Sequence, residues 1–258
     1  MAKRQFKAES KRLLDLMINS IYTHKEIFLR EIISNASDAC DKLCYQALTD
    51  DAVGMSRKDF KIEIKVDKEH RTLTVSDNGI GMDKEDLENN LGVIASSGSY
   101  KFKQEVGDDA KDTDVIGQFG VGFYSAFMVA DHITVVTRKY GTDAAWMWQS
   151  SGADGYTITE CERDAVGTDI IMHIKADTDD EKYSEFLESW RLQELVRKYS
   201  DYIRFPIRME VSKTRRKEGS PDDKPEYETY QEEETLNSMV PIWQRRKSSV
   251  KPEEYNKF

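Results

Sequence analysis

The sequence contains no apolar run approaching the length of a membrane span, so we expect no membrane-embedded segment. Its start, MAKRQFKAESKRLLD, lacks the apolar core of a signal peptide, and we expect none. Positive charge is in deficit, because 38 Lys and Arg face 48 Asp and Glu and leave a net charge of -10. This balance argues against a nucleic-acid partner, since nucleic-acid binders are usually basic.

Metal-binding side chains are scarce. The chain has three cysteines, with neither a zinc-ligand pattern nor the spacing of a redox pair, and four scattered histidines. We therefore expect no metal site built by the protein alone. Cys40 and Cys44 could face each other on a helix, but we interpret them as small buried thiols. This cysteine usage predicts a reducing, cytoplasmic setting.

Hydrophobic patterning alternates between helical and strand periods along the chain. Helical spacing predicts helices over residues 9–22, 25–48, 84–96 and 184–203. Alternation predicts strands over residues 60–67, 71–77, 132–140, 144–150, 155–161, 168–175 and 204–213. The chain is thus expected to mix strands and helices within one large domain.

Composition divides the chain into segments. Six of its 14 glycines lie between Gly92 and Gly122, which predicts a mobile, functional segment. From 213 to 237, charge, Pro, Gly and Ser predict a flexible linker, because little apolar area is available to offset ordering. We therefore predict a first domain over 1–212, and the start of a second over 238–258.

The predicted helix over 25–48 carries three polar residues on one flank. At about 100° per residue, Glu31, Asn35 and Asp38 fall within a narrow arc. This arc lies between an apolar stripe and a side predicted to face solvent. The apolar stripe consists of Ile32, Ile33, Ala36, Ala39, Cys40 and Leu43, and the predicted solvent side of Arg30, Ser34, Ser37 and Asp41. The arc could line a cleft, or it could be a polar shoulder at the core boundary.

A buried aspartate is predicted at the end of the strand TLTVSD. Leu73, Val75 and Asp77 share one strand face, so Asp77 should point into the core with the other two. A buried carboxylate needs hydrogen-bond donors, and the exocyclic amine of a purine could supply them. Gly79 and Gly81 would let a flat ring approach the backbone. The alternative is a structural aspartate turn.

Two further glycine motifs precede predicted elements. Gly117, Gly120 and Gly122 lie ahead of an apolar stretch that we predict to be a helix, and their N–H groups could bind an anion. A loop hinge, or tight packing against Ala126, would also explain them. The motif is neither a Walker A loop nor a Rossmann fingerprint. Thr168, which follows a glycine, could touch a ligand or simply start a strand.

Taken in order, E-x-x-x-N-x-x-D, D-x-G-x-G, G-x-x-G-x-G and G-T resemble one ATP-binding superfamily, which includes gyrase, histidine kinases, MutL and the ninety-kilodalton heat-shock chaperones. YTHKEIFLREIISNASDACDKL, DNGIGM, NNLGVIASSGS and GQFGVGFYSAFMVAD are similar to the chaperones in particular, and most similar to their bacterial members. The tail NSMVPIWQRRK…EEYNKF resembles the start of their middle domain. The resemblance implies a two-layer α/β sandwich of the Bergerat type, in which a twisted, mostly antiparallel sheet is covered on one face by helices.

The resemblance implies a site for ATP or ADP with Mg²⁺. Asp77 would accept the adenine amine, Asn35 would hold Mg²⁺ against the phosphates, and Glu31 would orient or deprotonate the attacking water. The residues implied to bind nucleotide are Asn35, Asp38, Asp77, Gly79, Gly81, Met82, Asn90, Gly117, Gly120, Val121, Gly122, Phe123 and Thr168. Residues 92–122 would form a lid. Ser96 stands where the family commonly has a lysine, which should weaken phosphate contact.

The resemblance also implies a function, namely an ATPase domain of a chaperone. Hydrolysis should be slow, because the family's γ-phosphate arginine lies in the middle domain. The full protein would form a homodimer that clamps unfolded or partly folded clients, and adenine-pocket inhibitors could bind it. The alternatives are a histidine-kinase-type domain, a gyrase- or MutL-type ATPase, and a nucleotide-gated binding module without turnover.

Overall fold

The computed structural model describes residues 24–93, 116, 120–152, 154–216 and 226–245. The predicted helix over 9–22 lies outside the described residues. So do Ser96, Gly117 and most of the predicted lid.

Within the described residues, eight strands form one sheet in the order β5-β4-β3-β6-β2-β1-β7-β8. They are β1 Ile62–Asp67, β2 Thr72–Asp77, β3 Ala130–Arg138, β4 Ala145–Ser150, β5 Tyr156–Cys161, β6 Gly167–Ile174, β7 Ile207–Arg216 and β8 Tyr227–Thr235. Only the β1–β7 pair is parallel, and every other neighbouring pair is antiparallel. The prediction of a mostly antiparallel sheet is confirmed.

Three α-helices are described: α1 Ile27–Gln46, α2 Lys84–Asn90 and α3 Ser189–Tyr199. Short 3-10 segments cover Asp51–Val53, Arg57–Asp59, Gly122–Met128, Tyr183–Leu187 and Ile242–Gln244. The helix predicted over 84–96 ends at Asn90, shortly before Gly92, whose N–H bonds to the carbonyl of Leu87. No described helix is long and apolar enough to cross a bilayer.

The larger of two hydrophobic clusters among the described residues joins the helices to the sheet. Ile32 of α1, Phe127 of the 3-10 segment Gly122–Met128 and Leu192 of α3 belong to the same buried cluster as Val75 of β2 and Met172 of β6. Alternate strand residues supply the sheet side of this core, as a half-buried strand requires. The fold is therefore a layer of helices packed on a sheet, and α1 lies directly against β2.

One side of α1 was predicted wrongly. Ser34, Ser37 and Asp41 are buried, although we expected them to face solvent. The helix contacts α3 and the 3-10 segment Gly122–Met128 as well as the sheet, so it is covered on more than one side. Periodicity identifies the most apolar stripe of a helix, but not how many neighbours cover the rest.

The predicted linker over 213–237 contains regular structure. Residues 213–216 continue β7, and β8 pairs antiparallel with it. Opposite charges pair across the two strands: Arg215 lies directly opposite Glu228, and Lys213 reaches Glu232 diagonally. The composition predicted disorder from these charges, whereas cross-strand pairing neutralises them. The domain boundaries at 212 and 237 stay predictions.

Candidate functional site

Asp77 ends β2 with its side chain in the core, as the alternation predicted. Leu73, Val75 and Asp77 are all buried, and Asp77 is 7% exposed. Burial raises the pKa of the Asp77 carboxyl to about 7, although the N–H groups of Gly79 and Thr168 and the charge of Arg163 oppose the shift. The Gly79 N–H donates to Oδ1 at 2.9 Å. The burial is confirmed, and the role of Asp77 as an adenine acceptor stays a prediction.

The two glycines after β2 have protein neighbours of their own. A Cβ at Gly79 would lie 2.3 Å from the backbone carbon of Ala39 in α1. Gly81 has φ +67°, and a Cβ there would lie 2.0 Å from the carbonyl oxygen of Arg138. Close packing against α1 and β3 already requires both glycines, so their presence alone does not indicate a ligand, and their part in a nucleotide site stays a prediction.

Thr168 lies on the inner face of β6, directly opposite Asp77 in the β2–β6 register. It is 5% exposed, and its hydroxyl lies 2.9 Å from that of Thr137 on β3. Thr137 is fully buried and also accepts a hydrogen bond from the Met82 N–H at 2.9 Å. Sequence reasoning missed Thr137, although the alternation that identified Asp77 also places it on an inner face, after Ile133 and Val135.

The polar arc of α1 lies next to these strands and has a fourth member. Asp38 is 1% exposed, and its Oδ1 accepts a hydrogen bond from the Ile116 N–H at 2.8 Å. Lys42, one turn further along the helix, is half-buried on the same arc. Burial lowers the pKa of Lys42, and the charges of Asp38, Asp86 and Asp77 oppose the shift. Sequence reasoning missed Lys42, although its spacing from Asp38 was a sufficient signal.

Glu31 lies at the other end of the arc, against the glycine-rich segment. Its Oε1 accepts a hydrogen bond from Arg30 Nε at 3.0 Å. Its Oε2 faces Gly122, where an added Cβ would approach within 2.5 Å. The absence of a side chain at Gly122 thus lets this segment lie against Glu31, and two of the predicted motifs meet here.

The same helix reaches the turn after β2. The Ile80 N–H donates to the Ala39 carbonyl at 3.0 Å. Along the helix axis, Glu31 and Asp38 are about 10 Å apart, because each residue rises about 1.5 Å. The arc therefore runs from the segment around Gly122 at one end to the Asp77 turn at the other.

Most of the remaining described residues of the predicted site are half-buried. Asn35 is half-buried, and no described residue is hydrogen-bonded to its side chain. Asn90 at the end of α2 and Met82 after the turn are also half-buried. Gly120 has φ +64°. No acceptor within the described ranges is hydrogen-bonded to the N–H groups of Val121, Gly122 or Phe123.

A site built from metal-binding side chains alone is not found in the described part of the chain. No group of three or more His, Cys, Asp and Glu there could hold a metal ion. The polar groups along the arc are instead one amide and carboxylates, whose oxygens accept, and backbone N–H groups, which donate. Such a set suits a ligand that brings its own anionic oxygens, as a phosphate does.

Comparison with known proteins identifies the family. Residues 22–168, more than half of the chain, match the family described as histidine kinase-, DNA gyrase B-, and HSP90-like ATPase. The chain belongs to this ATPase family. A second match, to the Hsp90 protein family, covers residues 185–232. This match favours an HSP90-like member over the histidine-kinase and gyrase alternatives.

Individual relatives agree with this assignment. The chain is 58% identical over its whole length to the chaperone protein HtpG of Clostridium botulinum strain Langeland, of Clostridium perfringens strain 13 and of Bacillus subtilis strain 168. In each case it spans 41% of the relative's length. The chain therefore corresponds to the ATPase domain of these longer proteins.

Proposed function

We propose that this chain is the nucleotide-binding domain of an ATP-dependent chaperone of the HSP90 type, and that it binds ATP or ADP with Mg²⁺ and hydrolyses ATP slowly. One observation carries the proposal. Asp77 and Thr168 are a buried polar pair on the neighbouring strands β2 and β6, and β2 packs against α1, whose polar arc runs on to Glu31 and the glycine-rich segment. Family membership supplies the reaction class.

Asp77 and Thr168 hold the adenine end in this proposal, with Gly81 and Met82 completing its walls. The buried carboxylate of Asp77 has an unfavourable solvation energy in the free domain, which is why its pKa is raised to about 7. An amine donor from the purine would stabilise the ionised form. Bound nucleotide would thereby offset the part of the cost of burying Asp77 that the Gly79 and Thr168 N–H groups and Arg163 leave uncompensated.

Asn35 and the N–H groups of Val121, Gly122 and Phe123 hold the phosphate end. The amide oxygen of Asn35 is a hard ligand that suits Mg²⁺, and its side chain is not hydrogen-bonded to any other described residue. Mg²⁺, when bound, would neutralise part of the phosphate charge. Asn90 and Gly120 border this end, and Asp38 supports the arc through its bond to Ile116.

Glu31 is the proposed general base. Arg30 holds Oε1, so Oε2, which faces Gly122, is the oxygen available to orient or deprotonate water. The domain offers a base and a magnesium site, and we propose that the arginine that stabilises the γ-phosphate lies beyond this chain. Hydrolysis by the isolated domain should therefore be slow, because that arginine is absent from it.

The activity of the whole protein is the wider part of the proposal. Residues 92–122 would close over ATP as a lid, and Ile116, within that range, is already tied to Asp38 on α1. The full protein would act as a homodimer on unfolded or partly folded clients in the cytoplasm, and adenine-pocket inhibitors would compete at Asp77. The HtpG relatives, named as chaperones, support this proposal.

Replacing the base tests the proposal. Glu31→Gln should lower ATP hydrolysis by about a hundredfold or more, while the Kd for Mg·ADP stays within about twofold. The matched control is Glu88→Gln, the same chemical change at an exposed position of α2. Hydrolysis that survives in Glu31→Gln would contradict the assignment of the base. A wild-type domain that binds no nucleotide would contradict the function itself.

A further inference from the structure

We propose that Thr137 determines purine specificity, because it fixes the hydroxyl of Thr168 as a hydrogen-bond acceptor. The inference rests on the proposed function, since it concerns the adenine end of that site. Thr137 is a positioning residue in this account, because it acts on the ligand only through Thr168. Its side chain is fully buried on β3.

Three polar groups surround the Thr137 hydroxyl oxygen. The Met82 N–H lies 2.9 Å away, the Gly167 carbonyl oxygen 3.1 Å, and the Thr168 hydroxyl 2.9 Å. All three distances are ordinary for hydrogen bonds. A threonine hydroxyl has one proton to donate and two lone pairs that accept, so it can satisfy three partners at once.

The identity of two partners fixes the direction of the third bond. The Met82 N–H can only donate, and therefore occupies one lone pair of Thr137. The Gly167 carbonyl can only accept, and therefore takes the single proton of Thr137. The hydrogen bond between the two threonine hydroxyls can then form only if Thr168 donates its proton to the second lone pair of Thr137. Leaving one of these buried groups unpaired would be costly.

Thr168 then presents lone pairs, and no proton, to the space beside Asp77. The two residues are direct partners across β2 and β6, which puts their β-carbons about 5 Å apart. Above pH 7 the Asp77 carboxylate is ionised and also only accepts. Two adjacent acceptors favour a purine with an amino group at C6, such as adenine. A 6-oxo purine would bring a third acceptor oxygen against them.

Calorimetric titration of ADP and of inosine diphosphate at pH 8 tests this inference. The two nucleotides differ at C6, where the amino group becomes an oxo group. Wild type should favour ADP strongly. In Thr137→Val, which has nearly the same shape and no hydroxyl, the proton of Thr168 is free to turn toward the ligand. We expect the ratio of the two dissociation constants to fall by about tenfold or more.

Thr137→Ser is the matched control, because it keeps the hydroxyl and should keep the wild-type ratio. Loss of the same ratio in Thr137→Ser, or an unchanged ratio in folded Thr137→Val, would overturn the inference. A purely structural role for Thr137 would weaken both nucleotides equally and leave their ratio unchanged. If wild type binds neither nucleotide, the proposed function fails, which is a different result.

Neutron diffraction of the wild-type domain gives a readout that does not depend on the variants folding. The deuterium between the two threonines should be bonded to Thr168 Oγ1, with the Thr137 deuterium directed at the Gly167 carbonyl. A deuterium bonded to Thr137 and directed at Thr168 would overturn the inference.

Discussion

Replacing Asp77 with asparagine should make the free domain more stable at neutral and alkaline pH. The change keeps the shape of the side chain and the oxygen that accepts from the Gly79 N–H, but it removes the charge. In wild type, burial raises the pKa of Asp77 from 3.8 to about 7. The folded state therefore holds the Asp77 proton more tightly than the unfolded state does.

The magnitude follows from that difference in pKa. Each pKa unit corresponds to about 1.4 kcal/mol, so a shift of about three units amounts to about 4 kcal/mol. Because the folded-state pKa is the higher one, the stability associated with the proton is fully present below the unfolded pKa of 3.8 and is lost as the pH rises to about 7. The asparagine side chain of the variant cannot ionise, so its advantage over wild type should grow across this range and then level off.

Urea unfolding followed by circular dichroism at pH 4.5, 6 and 8 measures the effect. The free energy of unfolding of Asp77→Asn, minus that of wild type, should increase by about 3 kcal/mol or more between pH 4.5 and 8. Asp180→Asn, at an exposed position, is the matched control and should show no such trend. A difference that does not vary with pH, or wild type being more stable at pH 8, would refute the reasoning.

Three further predictions concern the glycines at 79 and 122 and the pH dependence of ADP binding. Gly79→Ala places a Cβ 2.3 Å from the backbone of α1, so it should lower the free energy of unfolding by about 3 kcal/mol or prevent folding. Gly141→Ala, at φ +79° with open space around it, should lower it by only about 1 kcal/mol. Thermal melts of the two variants test this difference. ADP affinity should fall about tenfold per pH unit below 7, because Asp77 must lose its proton to accept an amine, and calorimetry at pH 6 in two buffers should detect about one proton released per ADP. Gly122→Ala should displace Glu31 and slow hydrolysis more than it weakens ADP binding, and equal losses in both assays would show that the contact is not specific to catalysis.

Features set by the local repeat of a strand or a helix were predicted correctly from the sequence. Strict alternation in β1 and β2 predicted both strands and the inward direction of Asp77, because side-chain direction in a strand depends only on parity. The polar arc of Glu31, Asn35 and Asp38 was also predicted, since helix geometry fixes it locally. The ordered motifs indicated the family, which the comparisons confirm.

Features that depend on a distant partner could not be predicted in the same way. The close approach of Ala39 to Gly79 and of Arg138 to Gly81 is one such feature, because nothing local in the sequence reveals it. The side chain of Asn78 likewise accepts from the Lys61 N–H and donates to the Asp59 carbonyl, both at 2.8 Å, and neither partner is adjacent in sequence.

Strand β8 was missed for a related reason. Its composition is that of a solvated linker, and it becomes a sheet edge through antiparallel pairing with β7, which also places complementary charges side by side. Propensity and composition describe a segment by itself, whereas this strand is stabilised by its neighbour.

Calorimetric titration of Mg·ADP into wild type and Asp77→Asn at pH 8 tests the central claim most directly. We expect saturable binding to one site in wild type and no detectable binding to the variant, although the variant is folded and more stable. Equal affinity in the two proteins would mean that the purine does not contact Asp77, and would contradict the account.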